Sequence, residues 1–504
     1  MKPFLLAVLS GMALAFAHPK WDLYPLAYVA LVPWLWVIPK RPFALSFLSG
    51  WVHFFVLLYW LVPVMTDFGG LPGPAAWGTL GLLAAYLALY WAATGVFAAR
   101  AELLQGDLRG LFLFPAVFVA FEFLRGRLLY GFPWGFVGAS QYRLLPLIQV
   151  ADLGGIYAVS YVVVFVNYLL FALLRRRAGR RELGAALFVL LAVLSYGLVR
   201  LQTEWPAIGR ERAALIQGNV PQTSKWKPEL RRESLKRYLS LSEQALSEDP
   251  SVILWPETAL PFLFPVESLS QEVLVWQKSH GVPLILGAPR LGLFGEKPRI
   301  YNSLFLIKDG RVVSFYDKQR LVPFGEFIPL EDKIPLLRTF AVASGDYSPG
   351  PAGGPLKLDE KRVFGPLICF ESVFPDLAYE QVRRGATVLL VATNDAWFDR
   401  SAGPYQHFAQ AVFRAVETRR YLLRVANTGI SGLIDPHGRI RLATPLEETL
   451  NPCVEAYHLA YFSWYTRLGD LWAGFCVLIT GFVLAEKLFR RRKDEASSRS
   501  EGQP

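Results

Sequence analysis

Cysteine is scarce in this sequence: three in 504 residues, at positions 369, 453 and 476. Three scattered thiols build no disulfide framework, and no Cys/His spacing of the zinc-binding kind occurs. The chain has no glycine-rich phosphate loop and no internal repeat. No metal and no cofactor are expected. Charge is low as well. Asp, Glu, Lys and Arg make up 18% of the chain, where soluble domains carry about 25%. The net charge of +11 could suggest nucleic acid. Many of the basic residues sit in short loops between apolar runs, however, which is a topology signal, and no nucleic-acid partner is expected.

What the chain has in abundance is apolar sequence, 53% of its residues, with long runs near the N-terminus. A bilayer core of ~30 Å takes ~20 mostly apolar helical residues. Lipid offers no partner for unpaired backbone groups, so each run is predicted to be a helix. The candidate spans are residues 3–17, 23–38, 43–64, 75–98, 110–124, 151–174, 183–200 and 469–487. The first also has the form of a signal-peptide core after Lys2, but another apolar run follows almost at once, which favours a retained span. With the N-terminus inside, Lys2, Lys40, Arg41, Arg100, Arg109, Arg175, Arg176, Arg177, Arg180, Arg181, Lys487, Arg490, Arg491, Arg492 and Lys493 fall on the inner side. The outer side keeps Lys20, Arg125, Arg127, Arg143, Arg200 and Arg467. That asymmetry places both termini in the cytoplasm and the segment from about 201 to 466 outside it. The outer loop at about 125–150 carries three arginines, whose guanidinium forks match lipid phosphates. Glu122, inside a span, needs a partner, and Arg125 stands three residues on.

From about residue 210 the pattern changes to short β-rich runs alternating with amphipathic stretches. Strands are predicted at 213–217, 251–255, 282–287, 362–369, 387–393 and 422–427, with a hairpin of 302–307 and 311–316 around Asp309-Gly310. Helices are predicted at 229–247 and 405–421. Alternating strands and helices imply an α/β domain. The expected organisation is a helical membrane bundle of seven spans over 1–205 and an extracytoplasmic α/β domain over 210–455. A last transmembrane helix over 465–490 and a basic, polar cytoplasmic tail over 491–504 follow, disordered after Lys493.

Three reactive residues stand at ends of predicted apolar strands or just beyond them, where loops meet a rigid sheet. Glu257 follows Trp255-Pro256, and a carboxylate in so poorly hydrated a place suits a general base. Lys318 precedes an apolar turn that ends near Glu326, and it is a candidate oxyanion stabiliser. Cys369 closes a strand that runs into a turn, and amides at that turn can lower a thiol pKa. Cys453, in a linker, and Cys476, in a span, lack this setting. Nucleophile, base and oxyanion stabiliser make a complete set. Histidine is the usual partner of a cysteine nucleophile, so His407 and His437 keep a Cys–His hydrolase open on these residues alone.

These segments resemble the nitrilase superfamily, whose fold is an αββα sandwich with a Glu–Lys–Cys triad. They are more similar still to its membrane-embedded branch, the apolipoprotein N-acyltransferases. The stretches that carry the resemblance are Gln217-Gly218-Asn219-Val220-Pro221-Gln222, Trp255-Pro256-Glu257-Thr258, Leu321-Val322-Pro323-Phe324-Gly325-Glu326-Phe327, Ile368-Cys369-Phe370-Glu371 and Asn394-Asp395-Ala396-Trp397-Phe398. Pro404-Tyr405-Gln406-His407-Phe408, Asn427-Thr428-Gly429-Ile430-Ser431 and, in the membrane half, Gly131-Phe132-Pro133-Trp134 extend it.

The resemblance implies a bundle of about eight helices with an inserted nitrilase-like αββα domain, in a bacterial inner membrane. It implies ping-pong transfer of an sn-1 acyl chain from a phospholipid, typically phosphatidylethanolamine, to the α-amine of an S-diacylglyceryl cysteine at an apolipoprotein N-terminus. Cys369 would carry the acyl group as a thioester, Glu257 would move protons and Lys318 would hold the oxyanion. Glu326, Glu371, Phe370 and Trp226 would support the site or contact substrate. The family often has Tyr directly after the cysteine; Phe370 keeps the ring and lacks the hydroxyl. A monomer is expected.

Three other readings compete. A membrane-anchored carbon–nitrogen hydrolase could use the same triad, but it would need only one span. A transporter would need more ionisable residues within its spans than Glu122 and Asp152. A catalytically dead scaffold would have no reason to retain Cys369, Lys318 and Glu257 together.

Overall fold

The apolar runs of the first half fold as helices wherever proline leaves them uninterrupted. A computed structural model describes residues 1–294, 297–329, 333 and 347–501. The chain divides into two compact units. One comprises Met1–Tyr59, Thr79–Val199 and Leu468–Pro504, and the other comprises Trp60–Gly78 and Arg200–Arg467.

Among the described residues, four helices are long and apolar enough to cross a membrane: Gly73–Arg100, Ala151–Leu174, Arg180–Gln202 and Leu471–Arg490. A fifth is added if the bent pair Pro42–Leu57 and Leu61–Phe68 is one span. Helix Lys2–Phe16 has 15 residues, a length of roughly 22 Å at 1.5 Å per residue, which falls short of a hydrocarbon core. Residues 23–38, predicted as a single span, are instead a 3-10 turn (Tyr24–Tyr28), a short helix (Val32–Val37) and the start of a second turn (Ile38–Lys40). Each piece has a proline in its first two positions, Pro25, Pro33 and Pro39, and proline cannot donate to a continuing helix. The freed backbone finds Asn167 in helix Ala151–Leu174. Its Nδ2 donates to the Ala27 carbonyl (2.7 Å) and its Oδ1 accepts from the Leu31 amide (2.8 Å).

The arginines of the 125–150 loop have internal partners. Arg125 is buried and donates to the carbonyls of Phe132 (2.8 Å) and Trp134 (2.6 Å). Glu122 makes no ion pair with it among the described residues; its Oε1 accepts from the Val137 amide at 2.7 Å. The two side chains thus hold one loop by its backbone, as buried polar groups must where water is absent. Arg127 pairs with Asp470, and Arg143 lies 2.8 Å from Asp22. The final helix continues to Glu501, through the tail predicted to be disordered; the good helix formers beyond Phe489 allow it.

Among the described residues, the second unit holds twelve strands: β1 (Ala207–Leu215), β2 (Val252–Leu254), β3 (Leu284–Phe294), β4 (Lys297–Lys308), β5 (Arg311–Asp317), β6 (Leu356–Lys357), β7 (Val363–Ile368), β8 (Val388–Thr393), β9 (Leu422–Ala426), β10 (Gly432–Ile434), β11 (Ile440–Ala443) and β12 (Cys453–Leu459). They form two six-stranded sheets, ordered β12-β1-β2-β3-β4-β5 and β11-β10-β9-β8-β7-β6. The central pairs β1–β2, β2–β3, β7–β8 and β8–β9 are parallel. Parallel strands are covered on both faces, and every residue of β7 and β8 is accordingly buried.

Leu215, Leu254, Leu304 and Leu306 of the first sheet share one core with Phe364, Ile368, Leu390 and Leu423 of the second. On the outer face of the first sheet, Leu235 and Tyr238 of helix Arg231–Ala245 and Val273 of helix Leu269–His280 pack with Ile253, Trp255 and Leu286. Helices Pro375–Arg383 and Gly403–Thr418 accompany the second sheet. The result is the expected αββα layering. One placement differs: Cys453 opens β12, which pairs antiparallel with β1, instead of lying in a linker. Its signal was the alternating burial along β12, which Glu455 and His458 obscured.

Candidate active site

Each candidate residue sits just past a strand end. Glu257 is two residues beyond Trp255, whose amide donates to the Ile285 carbonyl and so continues the β2–β3 pairing. Lys318 directly follows β5, and Cys369 directly follows β7. All three are buried, with exposures of 5%, 1% and 8%.

Glu257 and Lys318 form an ion pair, Nζ to Oε1 at 3.0 Å. Glu326 supplies the second carboxylate on Lys318, at 2.9 Å. Asn302, from β4, bridges the two acids; its Nδ2 donates to Oε1 of Glu257 (2.8 Å) and of Glu326 (2.9 Å). The Asn394 amide donates to the other Glu257 oxygen at 2.9 Å, and the Val322 amide to the other Glu326 oxygen at 2.9 Å. Burial works against the Lys318 charge, but Glu257 and Glu326 outweigh it and hold the ammonium well above its ordinary range.

Cys369 has φ +51°, a left-handed conformation that few non-glycine residues adopt. The strain is held from several sides. Glu371, fully buried, accepts from the amides of Ile368 (2.8 Å), Gln319 (2.6 Å) and Arg320 (3.2 Å) and from the Tyr316 hydroxyl (3.1 Å). It therefore ties the end of β7 to the loop after β5. Burial pushes its carboxyl up, to about 7, against the pull of those amides. On the other side of the elbow, the Ser372 hydroxyl donates to the Cys369 carbonyl (2.9 Å), and His407 Nε2 lies 3.0 Å from the same oxygen.

The Cys369 thiol is pushed up, not down as predicted: burial and the Glu257 charge outweigh the opposing Lys318. The turn after it, Cys369–Val373, has only five residues, too few for a helix field. A protonated resting thiol makes a neighbouring base a requirement.

Of the two histidines, His437 bonds the Thr203 carbonyl (2.9 Å), away from this cluster. His407 is close, but its Nδ1 is bound to Asp395 (2.9 Å) and its Nε2 to Ser372 (2.8 Å) and the Cys369 carbonyl. That geometry braces the elbow. Arg424 closes the network on Asp395 at 2.7 Å. Burial disfavours the Asp395 charge, yet Arg424 and His407 hold the carboxyl well below the usual carboxylate range. Ligand atoms of Cys369, Asp395 and His407 lie within 4.8 Å of one another; Arg424 already supplies that carboxylate with its cation.

Among the supporting residues, Trp226 is 40% exposed, and Phe370 is half-buried, edge-on to Phe374 at 5.0 Å. Sequence reasoning gave no role to Asn302 or Asn394. It also passed over Lys225, which is 1% exposed and directs its Nζ at the Thr258 hydroxyl (2.9 Å) and the Glu257 carbonyl oxygen (3.4 Å). Apolar rings collect near Asn394-Asp395: Trp397 packs on Phe68 (5.1 Å), and Phe398 on Trp60 (4.8 Å).

Comparison with known proteins bears on both units. Residues 10–169 match the model of the apolipoprotein N-acyltransferase N-terminal domain, and residues 212–452 match that of carbon-nitrogen hydrolase. The apolipoprotein N-acyltransferase of Geobacter metallireducens is 38% identical, over 97% of this chain and 96% of its own length. That of Methylococcus capsulatus is 34% identical, over 99% and 98%. Among solved structures, an amidase from Nesterenkonia sp. AN1 aligns over 54% of this chain and 99% of its own, at 18% identity and a TM-score of 0.38.

Proposed function

We propose the reaction of this site on one premise: the chain belongs to the apolipoprotein N-acyltransferase family and is an acyltransferase of lipoprotein biosynthesis. The reaction is a two-step transfer. Glu257 takes the Cys369 proton, and the thiolate attacks the sn-1 ester carbonyl of a phospholipid, phosphatidylethanolamine in the first instance. Lys318 faces the oxyanion that develops in a dry site, where a fixed charge acts most strongly. The lysophospholipid oxygen leaves with the proton held by Glu257, and a thioester remains. The α-amine of an S-diacylglyceryl cysteine then displaces Cys369 and carries the acyl chain away. Glu326, Asn302 and Glu371 fix the groups that act, and Trp226 and Phe370 contact substrate.

The observation that supports this most is the buried Glu257–Lys318 pair electrostatically coupled to a strained, protonated Cys369. A hydrolase would admit water to a thioester; burial protects it. Placement in a bilayer fits too, since lifting an acyl chain into water costs ~0.8 kcal/mol per CH₂. Our reading keeps a multi-span bundle before residue 205 and one span at 465–490, with both termini cytoplasmic. The domain over 210–455 then faces the periplasm of a bacterial inner membrane, and the enzyme works as a monomer.

Intact-mass analysis after incubation with phosphatidylethanolamine tests the reading. Wild type should gain a hydroxylamine-labile acyl adduct, Cys369→Ala none, and a diacylglyceryl peptide should discharge the adduct onto its amine. No adduct on wild type, with lipid demonstrably delivered, would refute lipid as donor and favour an amidase.

A further inference from the structure

The proton count of the proposed transfer leaves one proton without a place, and the structure holds an unassigned base beside it. In the loading step the thiol proton goes to Glu257 and then to the leaving oxygen, so Glu257 is restored. In the discharge step the attacking amine loses a proton through Glu257 to the departing sulfur, which balances again. That cycle requires the amine to arrive neutral. An α-amine has a pKa of ~7.7–8.0 in water, so near pH 7 most acceptors carry one proton more. Glu257 cannot hold both amine protons, because its carboxylate already relays the second one to the sulfur.

Lys225 lies against the backbone at Glu257. Its Nζ is 2.9 Å from the Thr258 hydroxyl and 3.4 Å from the Glu257 carbonyl. An ammonium brings three donors and a charge, yet Lys225 meets two neutral oxygens and makes no ion pair among the described residues. Two ionisable groups act on it, Glu257 and Cys369. When Cys369 is acylated, its ionisable thiol is gone. Burial, opposed only in part by those two, lowers the Lys225 pKa to about 7, where a base and an α-ammonium are matched.

We propose that Lys225 is a catalytic residue of the second step, the base that takes the first proton from the acceptor's α-ammonium. This inference rests on the thioester reading above. The neutral Lys225 amine accepts a proton and becomes an ammonium. The freed α-amine attacks the thioester carbonyl; the C–N bond forms and the C–S bond breaks. The second amine proton passes through Glu257 to the Cys369 sulfur, and Lys225 returns its proton to water.

The test separates the two steps in the full-length protein, in detergent micelles containing phosphatidylethanolamine. Acyl-enzyme formation is timed by intact mass, and discharge by a synthetic peptide bearing an N-terminal S-diacylglyceryl cysteine, from pH 6 to 9.5. Lys225→Met should lower the discharge rate at pH 7 by about 10²-fold, the scale of general-base catalysis, and lower loading far less. The deficit should shrink toward tenfold or below once the pH passes the acceptor's own pKa. Lys225→Arg keeps the charge but cannot release a proton, so it should discharge as poorly as the Met variant. Restoration by Arg, discharge at the wild-type rate in Lys225→Met, or equal losses in both steps at every pH would each overturn the assignment. No adduct on wild type would instead overturn the thioester reading itself, before any variant is compared.

Discussion

The end of β5 and the short helix Gln222–Lys225 each bury a lysine to 1% exposure in the same site, and they treat it in opposite ways. Lys318 is given two carboxylates and stays charged. Lys225 is given a hydroxyl and a carbonyl and is brought down to about 7. Burial is common to both, so it is the partners that decide the protonation state. On the proposed reaction, the difference divides the labour. A fixed cation can stabilise an oxyanion through both steps without exchanging protons. A lysine poised near neutrality can accept a proton and give it back.

The largest expected effect comes from removing the fixed charge. Lys318→Met leaves the buried Glu257 and the partly buried Glu326 as two unpaired carboxylates around Asn302. Breaking a buried pair in this way costs about 3–5 kcal/mol, and loss of an oxyanion partner costs about 10²–10³ in rate. Acyl-enzyme formation and the thermal midpoint should both fall steeply. Loading at the wild-type rate would show that Lys318 only organises the acids.

Removing Lys225 should move stability the other way. The folded protein depresses this pKa from 10.5 to about 7 and so binds fewer protons than the unfolded chain between those values. Its stability contribution is intact above pH 10.5 and is lost as the pH falls through 7. Lys225→Met should therefore melt above wild type near pH 7, with the gap closing toward pH 10.5. A midpoint below wild type across that range would mean that Lys225 holds the structure together, and the contrast with Lys318 would fail.

Much of this arrangement could be read in advance because each group follows an apolar strand. The runs before Glu257, Lys318 and Cys369 have no other use for a reactive residue at their ends, and the two-sheet sandwich follows from the same strands. What stayed hidden depends on contacts distant in sequence. Asn302 looks like one polar residue in a hairpin strand, and Lys225 like a surface lysine near a proline; only folding brings each against Glu257. Helix breaks at Pro25, Pro33 and Pro39 were legible in principle, but a hydropathy window averages over them. Cys453 was misplaced because β12 exposes one face, and a half-polar strand next to a proline resembles a linker. The thiol shift was misjudged in sign because it was argued from one turn's amides, whereas burial and the Glu257 carboxylate come from the rest of the site.

The smallest change is also the most direct trial of the idea that partners decide. Thr258 accepts from Lys225 at 2.9 Å and sits at φ +46°, a conformation that Asp and Asn adopt more readily than Thr. Thr258→Asp would therefore place a carboxylate where Lys225 now meets a hydroxyl, giving it what Lys318 already has. An added negative charge at that range should raise the Lys225 pKa by a unit or more. The first unit alone removes about four-fifths of the neutral amine at pH 7. Discharge of the acyl-enzyme should slow by about tenfold and recover as the pH rises, while Thr258→Asn, of the same shape without the charge, should stay within a few-fold of wild type. Equal behaviour of the Asp and Asn variants in timed discharge would mean that charge at position 258 does not control Lys225, and the two lysines would then differ for a reason other than their partners.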